Sequence, residues 1–555
     1  MKKSSKFQVP SSKKVSASWQ SHRKAPSLPS SLRKGYVFSR LEGSEEKPQR
    51  GLPVHSTRPP RLRPNPVGVS CLRARTPIPF VPSTLAGNPY GVWTKLWASA
   101  CYKQATPLGF KCDLRALHTH ERGGGRGPCG GSAKIRSKVR RSSLLKLGIW
   151  CLFGIWSLGL GTFVATGQEF LDKLDDSLFL QSKNGTYRVD LSGQFDLECY
   201  YIDELPPGLI FGGKEDFVNP RLSLFLDAVA GKHFYSFVQA RIDRGFDPRS
   251  KVRDARFDEY LLRYTPFDDS RLNLQVGKFA TVIGNWVPRH QSWDNPFINA
   301  PLPYERVTAA SDQKIVPGPA AFLLRRDQAD NKPVWLPVIW GPSYGSGASL
   351  FGTLTKLDYA VEFKNASLSS RLASWDARDV GWEHPTVSGR LGYRPNASWN
   401  LGASFSHGSY LRPETESMPG FPNGKDRGDF DQTTFGQDVS FAWRHWQLWG
   451  EVFFTRFEVP NVGDADTMAY YIEAKYKFTG RLFAAVRWNQ QFFDQVSDGA
   501  GGDAVWDRDA WRVDTAIGYR FTRHLQSKLQ YSYNHQQGSL QQGEQLVAAQ
   551  VTVRF

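Results

Sequence analysis

The stretch Tyr187-Arg188-Val189-Asp190-Leu191-Ser192-Gly193-Gln194-Phe195-Asp196-Leu197-Glu198-Cys199 alternates strictly between two kinds of side chain. Tyr187, Val189, Leu191, Phe195 and Leu197 fall on one phase, and Arg188, Asp190, Gln194, Asp196 and Glu198 on the other. Successive side chains of a β-strand point to opposite faces, so this is a strand with one apolar wall and one strongly polar wall. The pattern returns with Phe234, Val238, Ala240 and Ile242 against Gln239, Arg241 and Asp243. It returns again with Tyr470, Ile472, Ala474 and Tyr476 against Glu473, Lys475 and Lys477, and with Trp511, Val513, Ile517 and Tyr519 against Arg512, Asp514 and Arg520. Val547, Ala549, Val551, Val553 and Phe555 close the chain in the same way.

Such segments run for about ten residues, the length of a tilted strand crossing a bilayer. Short turns at Gly231-Lys232, Pro266 to Ser270, Pro395-Asn396, Thr479-Gly480 and Thr522-Arg523 alternate with long polar connections at 201–218, 244–255, 411–432, 491–509 and 536–544. Trp443, Trp446, Trp488, Trp511, Tyr519 and Phe521 stand near strand ends, where an interfacial girdle belongs. A soluble sandwich needs none of these features. The expected fold is therefore all-β, a transmembrane antiparallel up-and-down barrel over residues 186–555. Sixteen strands are expected, near 186–200, 219–230, 233–243, 256–265, 271–280, 348–355, 358–366, 386–395, 398–410, 433–444, 446–457, 467–478, 481–490, 510–521, 524–535 and 545–555. A hairpin at 318–326 and 334–341 would raise the count to eighteen; otherwise 281–347 is one long loop folded inward.

The composition fits this reading once the charge is located. The 555-residue chain has a formal charge of +19 and a mean hydropathy of −0.45, too polar for a bundle of membrane helices. Residues 1–167 carry 29 Lys and Arg against 5 Asp and Glu, whereas the remaining 388 residues carry 42 against 47. A nucleic-acid-binding protein carries its basic footprint on the folded domain, so no nucleic-acid partner is expected. Residues 1–138 form a basic leader rich in Ser, Pro and Arg, read either as a disordered arm or as sequence upstream of the true start. Residues 139–167 then give Arg140-Arg141, an apolar run and Ala165-Thr166-Gly167, the layout of a secretory signal peptide; a membrane-spanning helix over 147–168 is the competing reading. Phe170, Leu171, Leu174 and Leu178 recur at helical spacing, so 168–185 reads as a short amphipathic periplasmic helix. Five of the six cysteines precede residue 168, leaving Cys199 alone. No cysteine-based zinc site, haem attachment or other cofactor is expected.

The hairpin Tyr260 to Phe279, the segment Val276-Gly277-Lys278-Phe279-Ala280-Thr281-Val282-Ile283-Gly284 and the terminal Phe555 resemble the phosphate-selective porin O and P family. The family's Gly-basic-Phe motif is matched at Gly277, Lys278 and Phe279, while Val282 and Ile283 depart from its Pro-Phe-Gly-like continuation. The resemblance implies a sixteen-stranded trimeric channel in the bacterial outer membrane, passing small hydrophilic solutes with a possible preference for phosphate-like anions. It also implies that Phe555 is read by the outer-membrane assembly machinery. The apolar phase would face outer-membrane lipid, and the polar phase would line the pore. Arg188, Arg241, Lys475, Arg487 and Arg512 are its basic lining candidates, and Glu259, Glu362, Glu451, Glu473 and Asp514 are among the acidic ones. Both signs are present, so the wall argues for a modest anion preference at most. Within 281–347, Arg289, His290, Arg306 and Lys314 are the candidate constriction residues. There the arginines either set the local potential or pair with Asp294 and Glu305 to hold the loop's shape. Scattered histidines show no nucleophile at motif spacing, so an enzyme is not expected. A barrel sheathing a separate electron-transfer protein is the remaining alternative.

Overall fold

The computed structural model describes residues 163–203, 216–243, 254–327, 335–371, 381–538 and 543–555. The leader and most of the signal-peptide region lie outside them. Sixteen strands follow in order: β1 Tyr187–Ile202, β2 Asp216–Ala230, β3 Phe234–Asp243, β4 Asp254–Tyr264, β5 Asn273–Phe279, β6 Gly345–Leu354, β7 Leu357–Lys364 and β8 Thr386–Tyr393. They continue as β9 Trp399–Ser409, β10 Asp431–Trp443, β11 Trp446–Val459, β12 Gly463–Lys477, β13 Leu482–Phe493, β14 Ala510–Arg520, β15 Leu525–Gln536 and β16 Gly543–Arg554. Each pairs antiparallel with its neighbour in sequence, and β16 returns to β1 with Val551 opposite Leu197 and Val553 opposite Phe195. The sheet is a closed barrel, which leaves no edge for lipid to meet.

The register obeys the alternation read from the sequence. Ile472 is 61% exposed and Leu391 66%, while Glu473 beside Ile472 is fully buried. The apolar phase faces outward and the polar phase inward along most of β1 and β14, and along β3 and β12 apart from the inward Tyr235, Phe237 and Tyr471. A closed barrel with this apolar exterior is that of a bacterial outer-membrane protein, its short turns periplasmic and its long loops extracellular. One loop-side connection breaks the rule: β11 and β12 meet across residues 460–462.

Two expectations change. The eighteen-strand alternative fails because Pro319–Leu323 is helical and runs into a 3-10 turn at Leu324–Asp327; Gly318 and Pro319 start that helix where a strand would have had to begin. The N-terminal helix occupies Phe163–Ser177 rather than 168–185, and it is followed by a three-residue strand, Phe179–Gln181. That strand has a purpose in the sheet. Strand β16 ends opposite Gln194, so the start of β1 has no partner on that side; Phe179 and Gln181 take the places opposite Asp190 and Arg188. The helix is tied to the β14–β15 turn, where Asp172 accepts from Arg523 Nε (2.6 Å) and meets His524 Nε2 (2.7 Å).

Between β5 and β6 the described residues 280–312 and 335–344 pack within the barrel. Together with the loops after β9 and β13 this connection builds an apolar core at the extracellular end, from Phe322, Leu336, Trp340, Tyr410, Phe457, Phe493 and Trp506. A second cluster lies deeper, with Ile283, Trp286, Tyr304, Ile339 and Tyr344 packed against Phe453 and Tyr471 of the wall.

Candidate functional site: the plugged lumen

The plug is fastened to the wall from its first residue, and the fasteners are inward carboxylates. Ala280 donates its backbone N–H to Glu259 on β4 (2.9 Å). Thr281 donates its hydroxyl to Glu362 on β7 (2.7 Å), which also receives the Val282 N–H. Glu451 on β11 accepts from the backbone of Asn285 and Trp286 and from the Tyr304 hydroxyl (2.7 Å). Hydrogen bonds to ionised acceptors are the strong ones, and buried carboxylates need such partners. Gly284 makes the Glu451 contact possible: its φ is +76°, and a Cβ there would stand 2.4 Å from the Tyr304 hydroxyl and 2.6 Å from a Glu451 oxygen.

Further along, the plug touches the rest of the wall. Arg289 binds Glu473 and the Tyr471 hydroxyl (3.0 Å) on β12 and lies over the Trp449 ring, 4.3 Å from its centroid. Ser292 donates to Asp196 on β1 (3.0 Å), and Lys528 on β15 donates to the carbonyls of Ser292, Asn295 and Phe297 at 2.8–3.0 Å. Leu302 N–H binds Asn489 on β13 (3.1 Å), and Gln432 on β10 donates to Val338 O (2.7 Å).

The residues singled out as a constriction are dispersed. Arg289 and Arg306 are each 9% exposed. Arg306 donates to the Arg508 carbonyl (2.6 Å), lies 4.0 Å from Asp507 and faces the Phe493 ring. The partners considered from sequence, Asp294 and Glu305, are thus replaced by Glu473 for Arg289 and Asp507 for Arg306. Glu305 instead holds Arg512 (3.0 Å) and the Ala300 N–H (2.9 Å). Lys314 is exposed at the extracellular side, its carbonyl accepting from Arg325. His290 is half-buried within the plug: its Nδ1 lies 2.6 Å from Val287 O, so it carries the proton, and its Nε2 accepts from the Tyr344 hydroxyl (2.9 Å). Both ring nitrogens are satisfied in the neutral form. Burial, and next the Arg241 charge, push its pKa down to about 4.

The lining candidates all face inward. Arg241 pairs with Asp258 (2.9 Å), and Arg487 with Asp514 (2.8 Å). Arg512 also meets Asp514 (3.1 Å), while Lys475 lies over the Phe483 ring. Arg188, near the periplasmic rim, pairs with Asp190 (2.6 Å) and is 37% exposed. Sequence reasoning did not single out the inward aromatic residues Phe225, Tyr235, Phe237, Phe351 and Trp449. Their signal was visible as apolar side chains standing in the polar phase of a strand. Among the described residues no cluster of His, Cys, Asp and Glu has the arrangement of a metal centre.

No family model matches the chain, and no curated protein matches it. Several solved structures do. They include the outer membrane channel DcaP of Acinetobacter baumannii, at 12% identity over 68% of this chain and 99% of that one, TM-score 0.44. The anion-selective porin of Comamonas acidovorans matches at 10% identity over 66% and 100%, TM-score 0.42. OmpF of Salmonella typhi, solved in complex with daunomycin, matches at 11% identity over 68% and 100%, TM-score 0.42. The barrel assignment stands on the strand ladder alone.

Proposed function

We propose that the protein is an outer-membrane channel for passive diffusion of small hydrophilic solutes, narrowed by the plug residues 280–312 and 335–344 and assembled as a homotrimer. The observation that carries this reading is the closed barrel whose inward phase is mostly polar, with the plug fastened to it by hydrogen bonds and ion pairs to Glu259, Glu362, Glu451, Glu473 and Lys528 as well as by the apolar cluster around Trp286 and Tyr304. In this reading the solute path runs along the polar seam between plug and wall. Trimeric assembly and the phosphate-selective family rest on the resemblance carried by Gly277, Lys278, Phe279 and Phe555.

Selectivity in this reading is modest. Arg241, Arg289, Arg306, Arg487 and Arg512 each lie against a carboxylate, which neutralises most of the field that would favour phosphate-like anions. No catalytic step or cofactor belongs to the proposal. A sheath for a separate electron carrier is the weaker reading, because the plug occupies the space that such a partner would need. Planar-bilayer recording across a KCl gradient tests the proposal. Ohmic single-channel steps with a small anion-favouring reversal potential are expected; an absence of current from correctly folded barrel would refute it.

A further inference from the structure

Three neighbouring strands break the polar rule on the inner face. On β2 to β4, Asp227 stands opposite Phe237 and Phe237 opposite Leu261, so this level of the lumen wall carries two apolar side chains beside one carboxylate. Phe225 shares this face and stacks on Phe237, with centroids 6.2 Å apart and planes 18° from parallel. Tyr235, two residues from Phe237 on the same face, donates to Asp227 at 2.5 Å. The Arg263 guanidinium lies 5.1 Å from the Tyr235 ring and 5.0 Å from the Phe351 ring, and Gln275 holds it in place (2.8 Å). The strip therefore crosses β2 to β6.

Lipid does not explain these rings, since the opposite phase faces lipid. The plug does not explain them either. Its hydrogen bonds to β2, β3 and β4 fall on Arg221, Gln239 and Glu259, and Gln239 stands directly opposite Phe225. Tyr235 and Phe237 lie on the periplasmic side of that level, and all three rings are half-buried. The charges around them balance: Arg188 pairs with Asp190, and Asp227, bonded by the Tyr235 hydroxyl, is opposed by Arg263 over the same ring. The surface on offer is a flat aromatic face rimmed by hydrogen-bonding groups with little net charge. An anion gains little there; a ring with one apolar face and a hydroxylated edge meets both requirements.

We propose that Phe225, Phe237, Tyr235 and Arg263 form a binding strip for an uncharged pyranose sugar on the periplasmic side of the plug. The inference rests on the channel reading and names a solute class for it. The test uses the full-length folded protein with maltose as the probe, by calorimetry in detergent and by current block in planar bilayers. Saturable binding and reversible block are expected. The double variant Phe225→Ala/Phe237→Ala should raise the half-blocking concentration roughly tenfold with the heat-modifiable folded band retained. Phe237→Leu preserves apolar bulk but removes the ring face, and it should weaken block should the double variant fold poorly. Leu226→Ala, on the lipid face, should leave block unchanged. No saturable heat with maltose, equal block in wild type and Phe237→Leu, or block by phosphate in place of maltose would overturn the proposal. If the folded chain passes no current at all, the channel reading falls, and calorimetry on the same variants still decides the strip.

Discussion

Phe555 and Gly193 close the barrel together. The backbone N–H of Phe555 donates to Gly193 O at 2.9 Å, and Gly193 N–H donates back to Phe555 O at 2.8 Å. The Phe555 ring lies over Gly193 so closely that a Cβ there would come within 2.3 Å of it. Only a residue without a side chain lets the last aromatic seat on the first strand. Beyond this pair, the ladder passes to Leu178 and the strand Phe179–Gln181.

Gly193→Val should therefore act like removal of Phe555. Both should sharply lower the heat-modifiable folded form on unboiled gels. Refolding into detergent separates packing from recognition by the assembly machinery. A Phe555 deletion that refolds normally in detergent but fails in cells would assign the residue to the machinery alone.

Leu224 faces lipid between the inward Ser223 and Phe225. Leu224→Arg should cost about 2–4 kcal/mol near the bilayer midplane, measured by urea unfolding in lipid vesicles. Gln239→Lys, on the inner face, is not a neutral control. Gln239 is 2% exposed and accepts from Gln291 of the plug, so the change should loosen the plug and raise conductance.

Gly284→Ala places a methyl against Tyr304 and Glu451 in a backbone region that side chains avoid. A cost of about 1–3 kcal/mol is expected. It should fall on the plug, not on the barrel: faster proteolysis within 285–340, larger single-channel steps and an unchanged heat-modifiable band.

Arg289→Ser with Arg306→Ser leaves Glu473 with Arg487 at 3.7 Å and Asp507 with the backbone N–H groups of Ala309 and Arg508. The loss of the Arg289–Glu473 contact should cost less than the about 3–5 kcal/mol of a fully unpaired buried charge. The chloride-to-potassium permeability ratio should fall and open-channel noise should rise. A fall in the ratio with quiet currents would assign the arginines to the local potential alone.

His290 gives the plug a pH dependence of definite sign. Its pKa is about 6.5 when unfolded and about 4 in place, so the unfolded form binds more protons between those values. Its contribution to plug stability is complete above pH 6.5 and is lost as pH falls toward 4. Tyr344, Gln291, Arg241, Arg221 and Asp258 surround it. Acid-induced opening of the plug in this range should be abolished by His290→Gln, read from single-channel steps at pH 7 and pH 4.5.

The barrel was legible because its signal is local and repeated. Tyr187 to Cys199 assigns both faces of a strand without knowledge of any neighbour, and the same logic placed all sixteen strands within a few residues. The plug was legible as an inward segment of 281–347, but its geometry was not. Arg289 meets Glu473 across 184 residues and Arg306 meets Arg508 across 202. Pairings over such distances depend on barrel register and tilt, whereas Asp294 and Glu305 recommended themselves only by nearness in sequence. The helix boundary moved for a related reason: Asp172 is held by a turn near the far end of the chain. The aromatic strip went unread because Phe225, Phe237 and Phe351 acquire meaning only when five strands lie side by side.

The most direct test compares the intact chain with a variant in which residues 285–340 are replaced by a short Gly-Ser linker, both purified as folded barrel and recorded in planar bilayers. The plugged-channel account predicts small steps for the intact protein and steps several-fold larger, with weaker ion selectivity, for the variant. Equal conductance in the two forms would show that the segment does not narrow the pore, and silence in both would show that the barrel is not a channel.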